Sequence, residues 1–404
     1  MRMLGLEHIY WGLPLVIYPF LSGLVAGSFI VGSLSKVFGL KKFEPLTRLS
    51  AIMTLVFLIG APLGPLSEAV QRSRFWELYT RDHIPYSPLG LFIVIWTAYM
   101  VLVVAEIYYI FRLDNIFLAE YAHGWRKAWH KFLTLGSRDT SEASQHRDHG
   151  ILVILSIIGI LLAFAFHGYV GFVFGAIKAR PLWSNPLMMP MFIVSAIVSG
   201  IALMILAYVI IEGGVGTGKV DSGIVDGLMR VLMWMIFVDL FLDIVDVVNS
   251  GVSAYTSAPV FRGFSQIFFP GGPLAFMYLG LQLGLLVVAM VMTFFGAVRR
   301  SSWGASVTAL LVLVSVFAMR FDTVIGGELQ PKVSQGLVRY ALPVFGMDSI
   351  QVAIGIVGIM ALLIVLALLL LPWDKGWVLV WSGQGGGDSP QSAAIESGSM
   401  KEEA

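Results

Sequence analysis

Apolar residues in this chain run in long unbroken blocks separated by short polar punctuation. A helix that crosses a bilayer needs roughly 20 predominantly apolar residues. Nine blocks meet that need, at 10–33, 46–69, 87–111, 151–176, 188–211, 227–249, 273–297, 303–325 and 350–371. The pattern predicts an all-α polytopic membrane protein of about nine transmembrane helices. The first block follows only nine residues and lacks a small-residue cleavage site, so it reads as an anchor, not a leader. The longest polar stretch, Arg112 to Gly150, is expected to hold a short amphipathic helix with Trp125 and Trp129 four apart on one face.

A faint echo links Phe20-Leu-Ser-Gly23 in the first span to Ile197-Val-Ser-Gly200 in the fifth. Small residues let membrane helices approach closely, so the echo fits a shared packing motif or a parallel repeat. A repeat would divide the chain into a first four-helix bundle (1–180), a second (181–345) and one additional transmembrane helix (346–372). A tail rich in Gly, Ser and acidic residues (373–404) is expected to be disordered.

Composition sharpens this picture. Of 404 residues, 57% are hydrophobic and 13% charged, about half the charged fraction of a soluble domain. A net charge of +1 offers no global basic field to nucleic acid. There is no cysteine, which removes disulfides, thiolate chemistry, cysteine-ligated zinc and cysteine-held iron–sulfur clusters. The segments after the odd-numbered spans hold 15 Lys and Arg against 9 on the other side, with Arg230 and Arg320 inside spans. This excess places the N-terminus outside and the C-terminus in the cytoplasm.

Gly213-Gly-Val-Gly-Thr-Gly218-Lys219 imitates a phosphate-binding loop, but Val220 stands where Ser or Thr is required and no strand precedes it. It reads as a turn between helices. Of seven histidines only His167 lies well within a span. A membrane haem usually needs a facing pair of ligands, so no haem is expected in this chain, and no metal site.

Ionisable groups at bilayer depth cost about 2.5–3.5 kcal/mol each on insertion scales and read as functional by default. The candidates are Glu68, Glu106, His167, Arg230, Asp239, Asp243, Asp246, Arg320 and Asp322. Asp239, Asp243 and Asp246 are spaced i, i+4, i+7 and share one helix face. Glu68, His167, Asp243, Asp246, Arg320 and Asp322 gather in the outer halves of their spans, whereas Glu106 and Arg230 fall in the inner halves and Asp239 near the middle. Internal salt bridges, such as Arg320 with an Asp of the sixth span, are the structural alternative. Tyr18 and Tyr169 are candidates to hydrogen-bond a ligand carbonyl.

These residues resemble a known family. Trp11-Gly-Leu-Pro-Leu-Val-Ile-Tyr18-Pro-Phe20-Leu-Ser-Gly23 is similar to the opening helix of the NrfD/PsrC (polysulfide reductase) membrane subunits. Glu68, Arg74-Phe75-Trp76 and Tyr86-Ser87-Pro88-Leu-Gly90 follow that family's second helix and outer loop. His167-Gly-Tyr169-Val-Gly171, Arg180-Pro181-Leu182-Trp183 and Arg320-Phe-Asp322-Thr-Val-Ile-Gly326-Gly327 complete the likeness, which favours the longer, DsrP-type branch. The usual acidic-Leu-Gly-Arg-Pro is here Glu68-Ala-Val-Gln-Arg72, and the asparagine and histidine of some members' first helix are not evident.

The resemblance implies a quinone-binding anchor without its own redox centre, in a prokaryotic cytoplasmic membrane. Its partners would be membrane lipid, an outer-face iron–sulfur (ferredoxin-like) subunit and a catalytic subunit or cytochrome c. Menaquinone or another quinone would be the cofactor. On this reading His167, Tyr169, Tyr18 and Arg320 contact quinone. Glu68, Asp243, Asp246 and Asp322 would move protons, with Glu106, Arg230 and Asp239 extending the route inward. No residue is assigned as a catalytic centre. The competing class is a proton-coupled secondary transporter or permease, which would share the repeat and the buried carboxylates.

Overall fold

A computed structural model describes residues 9, 11–80, 84, 86–214, 220–256, 258–332 and 336–373, and for 250–262 the backbone alone. The expected tail and residues 215–219 of the glycine-rich turn lie outside the described residues. Every regular element described is helical. In chain order the helices are α1 (Leu13–Phe38), α2 (Leu46–Glu68), α3 (Pro88–Tyr121), α4 (Gly124–Leu133), α5 (Glu142–Gly175), α6 (Met188–Glu212), α7 (Ser222–Thr256), α8 (Ala258–Phe268), α9 (Phe276–Phe294), α10 (Ser302–Leu329) and α11 (Ile350–Leu370).

Serine starts several of them, as hydroxyl caps should. Ser87, Ser141, Ser301 and Ser349 each accept the backbone N–H three residues on. Helix α1 has no side-chain cap of its own, and Glu68 at the end of α2 supplies one: its Oε1 accepts from Gly12 N at 3.0 Å and Leu15 N at 3.2 Å. Helix α1 ends where Gly39 takes the left-handed conformation at φ +68°.

Among the described residues, eight helices are long and apolar enough to cross a membrane. The remaining predicted span, the sixth at 227–249, falls on α7, 35 residues long. It carries Asp239, Asp243 and Asp246 within about two turns and is not among those eight, although its length suffices to span. A second difference concerns the polar stretch from Arg112 to Gly150. Most of it is helix, because α3 runs on to Tyr121 and α5 begins at Glu142. Its charges satisfy one another: Arg112 Nε donates to Asp148 Oδ2 at 2.5 Å and Arg112 Nη2 to Ser144 Oγ at 2.7 Å. The expected amphipathic helix is α4, of which Trp129 is half-buried and Trp125 exposed.

Helix α1 is the hub, with 78% of its most apolar window buried, against 17% for the peripheral α11. It packs on α2, α5, α6 and α10. Its closest neighbour is α6, at Gly27 and Gly200: a methyl group on either would collide with the other's backbone. Of the echoing residues, Gly200 thus meets Gly27, four residues beyond Gly23. Helix α3 packs on α5, and α6, α7, α9 and α10 pack side by side, with α11 laid against α2. Helices α1, α3, α6, α9 and α11 begin at one face of the bundle, here called the N-terminal face, where α2, α5, α7 and α10 end.

Candidate functional site

Two polar clusters occupy the half of the bundle nearest the N-terminal face. The first lies where α1, α5, α6 and α10 meet. His167 is eight residues from the end of α5 and Arg320 nine from the end of α10, roughly 12–14 Å below that face at 1.5 Å per residue. Both are fully buried. Arg320 Nη2 donates to Ser195 Oγ at 2.6 Å and to His167 Nε2 at 3.1 Å, while its guanidinium lies 4.0 Å from the centre of the Phe192 ring. The His167 ring stacks on the same phenylalanine at 5.5 Å.

A guanidinium only donates, so His167 Nε2 must accept. The ring then carries its proton on Nδ1, 3.1 Å from Ser22 Oγ, and the Ser22 hydroxyl turns to Pro19 O at 3.3 Å. Among the described residues Arg320 pairs with no carboxylate, and its Nε has no partner. The salt bridge to an Asp of the sixth span is therefore absent, and histidine, serine and a ring face take its place. Asp239 is buried on α7.

The second cluster lines a cavity of about 120 Å³ between α7, α9, α10 and the segment joining α5 to α6. Asp243, Asp246 and Asp322 all reach it. Gln282 Nε2 donates to Asp243 Oδ1 at 3.3 Å, Asn185 Nδ2 donates to Asp246 Oδ1, and among the described residues neither oxygen of buried Asp322 has a partner. The opposite wall is thioether and aromatic, including Met191, Met319, Phe268 and Trp183. Two π-helical turns, Phe276–Gly284 and Asp322–Gly326, supply Tyr278, Gln282 and Asp322. Such turns insert an extra residue into a helix and recur at functional sites. Met319 separates the clusters, lining the cavity while its sulfur accepts from Arg320 Nη1 at 3.2 Å.

The remaining candidates stand elsewhere. Tyr18 and Tyr169 flank one ring, Phe92, at 5.8 and 6.4 Å. Glu68 caps α1, and its second oxygen is buried with no partner among the described residues. Beside it Glu328 accepts from Trp11 N at 3.4 Å. Outside the spans, burial and then the carboxylates of Asp348 and Glu68 push the Tyr340 phenol up to about 12, so it stays protonated. Glu106 is held by Lys36 Nζ at 3.0 Å and Ser156 Oγ at 3.0 Å. Arg230 is half-exposed and pairs with Asp226 at 3.0 Å, which Arg299 also grips.

The structure thus gathers His167 with Arg320, Asp243 and Asp246 with Asp322, and Tyr18 with Tyr169. Glu106 and Arg230 are in neither cluster. Sequence reasoning missed Lys36, Glu328, Asn185, Gln282, Tyr278 and the two serines. Two of these carried a signal: Ser22 within the Phe20–Gly23 echo, and Asn185 two residues after the Arg180–Trp183 motif.

The family described as Polysulphide reductase, NrfD, matches residues 5–332. A selenate reductase subunit of Mesobacillus selenatarsenatis is 29% identical over 389 residues, covering 92% of this chain and 88% of the relative. A polysulfide reductase chain of Wolinella succinogenes is 26% identical, with 79% of this chain and 95% of the relative aligned. An Hdr-like menaquinol oxidoreductase integral membrane subunit of Archaeoglobus fulgidus is 24% identical, with 51% and 43% aligned.

Proposed function

The chain belongs to the polysulphide reductase NrfD family, and from that premise we propose that it is the quinone-interacting membrane subunit of a multi-subunit respiratory oxidoreductase. It exchanges electrons between an outer-face iron–sulfur subunit and membrane quinone, menaquinone or another, and couples this to proton transfer. A catalytic subunit or cytochrome c completes the complex in the prokaryotic cytoplasmic membrane. The N-terminal face is the outer face, and the C-terminus lies in the cytoplasm. The names of the selenate, polysulfide and menaquinol relatives support this reading. The chain divides into two four-helix groups, α1, α2, α3 and α5 against α6, α7, α9 and α10, with α11 added.

One observation carries the proposal: two ionisable groups, Arg320 and Asp322, buried at bilayer depth close to one face with no ion-pair partner among the described residues. The cavity beside Asp322 is smaller than the roughly 150 Å³ that holds a benzene ring, so it suits water and protons, not a tailed quinone head. We place the ring instead beside the half-buried Tyr18 and Tyr169, whose own rings pack on Phe92. A quinone held there supplies two-electron, two-proton redox chemistry. Tyr18 and Tyr169 offer hydroxyls to its oxygens, and His167 with Arg320 fixes the field behind them. Asp322, Asp243 and Asp246 hold and release protons, with Asp239 and Glu68 at the margins. Glu106 and Arg230 act as structural ion-pair partners.

The test uses the purified complex in proteoliposomes. Tyr18→Phe and Tyr169→Phe should each raise KM for quinone about fivefold to tenfold, the worth of one hydrogen bond. Asp322→Asn should lower kcat and leave KM alone. Wild-type kinetics in all three variants would sink the assignment.

A further inference from the structure

Helix α4 and the turn after it do not project away from the bundle. Gly124 starts α4 at φ +61°, reversing the chain after α3, and α4 runs back along α3 toward the bilayer. His130 Nδ1 meets Asn115 Oδ1 at 2.9 Å, and Tyr108 OH donates to Thr134 O at 3.4 Å, so the end of α4 reaches the level of a residue inside the third span. Trp129 Nε1 donates to Leu370 O at 2.9 Å, tying α4 to the last residue of α11. These contacts set α4 at the membrane surface.

The outward side of this segment is amphipathic and of one sign. Arg126, Lys127, Lys131 and Arg138 are exposed, and no acidic residue occurs between Glu120 and Asp139. At the membrane end Phe132 and Leu135 are 66% and 73% exposed. Leu135 has φ +49°, the one non-glycine residue among those described with positive φ. A leucine is held in a left-handed conformation only where surroundings demand it, and here the result is an apolar side chain presented outward at bilayer level.

We infer that the α4 turn is a docking surface for anionic phospholipid. Phe132 and Leu135 enter the acyl region while Arg126, Lys127, Lys131 and Arg138 meet the phosphates, the arrangement that binds amphipathic helices to acidic membranes. The charge complementarity favours acidic lipid over neutral lipid, and the apolar pair favours a bilayer over a free anion.

The full chain in nanodiscs decides the matter, with phosphatidylcholine alone or mixed with phosphatidylglycerol. Amide exchange over 124–138 should slow when phosphatidylglycerol is present. In native mass spectra the preference for phosphatidylglycerol over phosphatidylcholine should fall on the order of fivefold for each charge removed in Arg126→Gln, Lys127→Gln and Lys131→Gln. Leu135→Asn keeps the backbone, since asparagine tolerates this φ, yet should reduce the exchange protection. Equal protection and equal retention with both lipids would overturn the proposal. So would protection seen only with partner subunits present, which would assign the surface to protein.

Discussion

Lys36 and Glu106 provide the sharpest test of how this fold handles charge. Their charged atoms are 3.0 Å apart with side chains 9% and 7% exposed, joining α1 to α3. At an effective dielectric of 20 the attraction is about 5.5 kcal/mol, and the cost of desolvating both groups offsets much of it. Removing one partner is a different perturbation. Lys36→Met leaves Glu106 buried with only the Ser156 hydroxyl, and an uncompensated buried charge costs about 3–5 kcal/mol. The double variant Lys36→Met/Glu106→Gln removes both charges and lets Ser156 donate to the amide oxygen. It should recover all but about 1 kcal/mol, the scale of one neutral hydrogen bond. Unfolding entropy of about 2.1 cal/mol/K per residue turns the single-variant loss into roughly 4–6 °C of Tm. Thermal unfolding of the four proteins in one detergent reads the cycle directly. A double variant no more stable than Lys36→Met would refute the pair's structural role. So would Glu106→Gln abolishing quinone turnover in a fully folded complex, because Glu106 would then be carrying protons.

Two further outcomes follow from the geometry. Gly200→Val should destabilise beyond the ~1–3 kcal/mol of ordinary overpacking, since its branch meets the Gly27 backbone; Gly358→Ala, which faces open space, should leave Tm unchanged. His130, outside the spans, is held below its ordinary pKa of 6.5 by burial and then by Arg126. The unfolded chain therefore binds this proton first as pH falls. Stability should be flat above pH 7 and decline below about 6.5, and His130→Gln should remove that share of the decline in a pH series of Tm.

Length and apolarity made the spans legible, because lipid leaves a helix few alternatives. The ends of α3 and α5 were not legible. Arg112, Asp114 and Asp148 look like solvated loop residues until each finds its partner across the bundle, with Arg48 2.6 Å from Asp114. At the site, residue type and depth picked out His167, Arg320 and the aspartates. Pairing was beyond reach: Glu106 meets Lys36 from 70 positions away, and Glu68 reaches back 56 to cap α1. The two π-helical turns that aim Gln282 and Asp322 inward leave no mark in hydrophobic periodicity, since one inserted residue merely shifts the register of an already apolar block.

Depth also sorts the charges by kind. At the end of the bundle away from the N-terminal face, Lys36–Glu106, Arg48–Asp114, Arg112–Asp148 and Arg299–Asp226 are closed pairs at 2.5–3.0 Å. In each of these pairs a buried or part-buried charge meets one of opposite sign, and three of them join α1 to α3, α2 to α3 and α3 to α5. In the other half Arg320 meets only neutral groups, Asp322 meets none, and Asp243 and Asp246 lean on amides. If burial alone governed these positions, evolution toward stability would favour replacing such groups with apolar ones, since an unsatisfied buried polar group costs about 1–3 kcal/mol or more. Among the described residues nothing compensates Asp322, which is where the proposed proton transfer would need a carboxyl. The same reasoning predicts opposite responses in the two halves: Asp322→Asn or Asp322→Leu should raise Tm while lowering turnover, whereas neutralising one member of any closed pair should lower Tm and spare turnover. Destabilisation by Asp322→Leu would mean that an unseen partner satisfies the carboxylate, and the division of charge by depth would then fail.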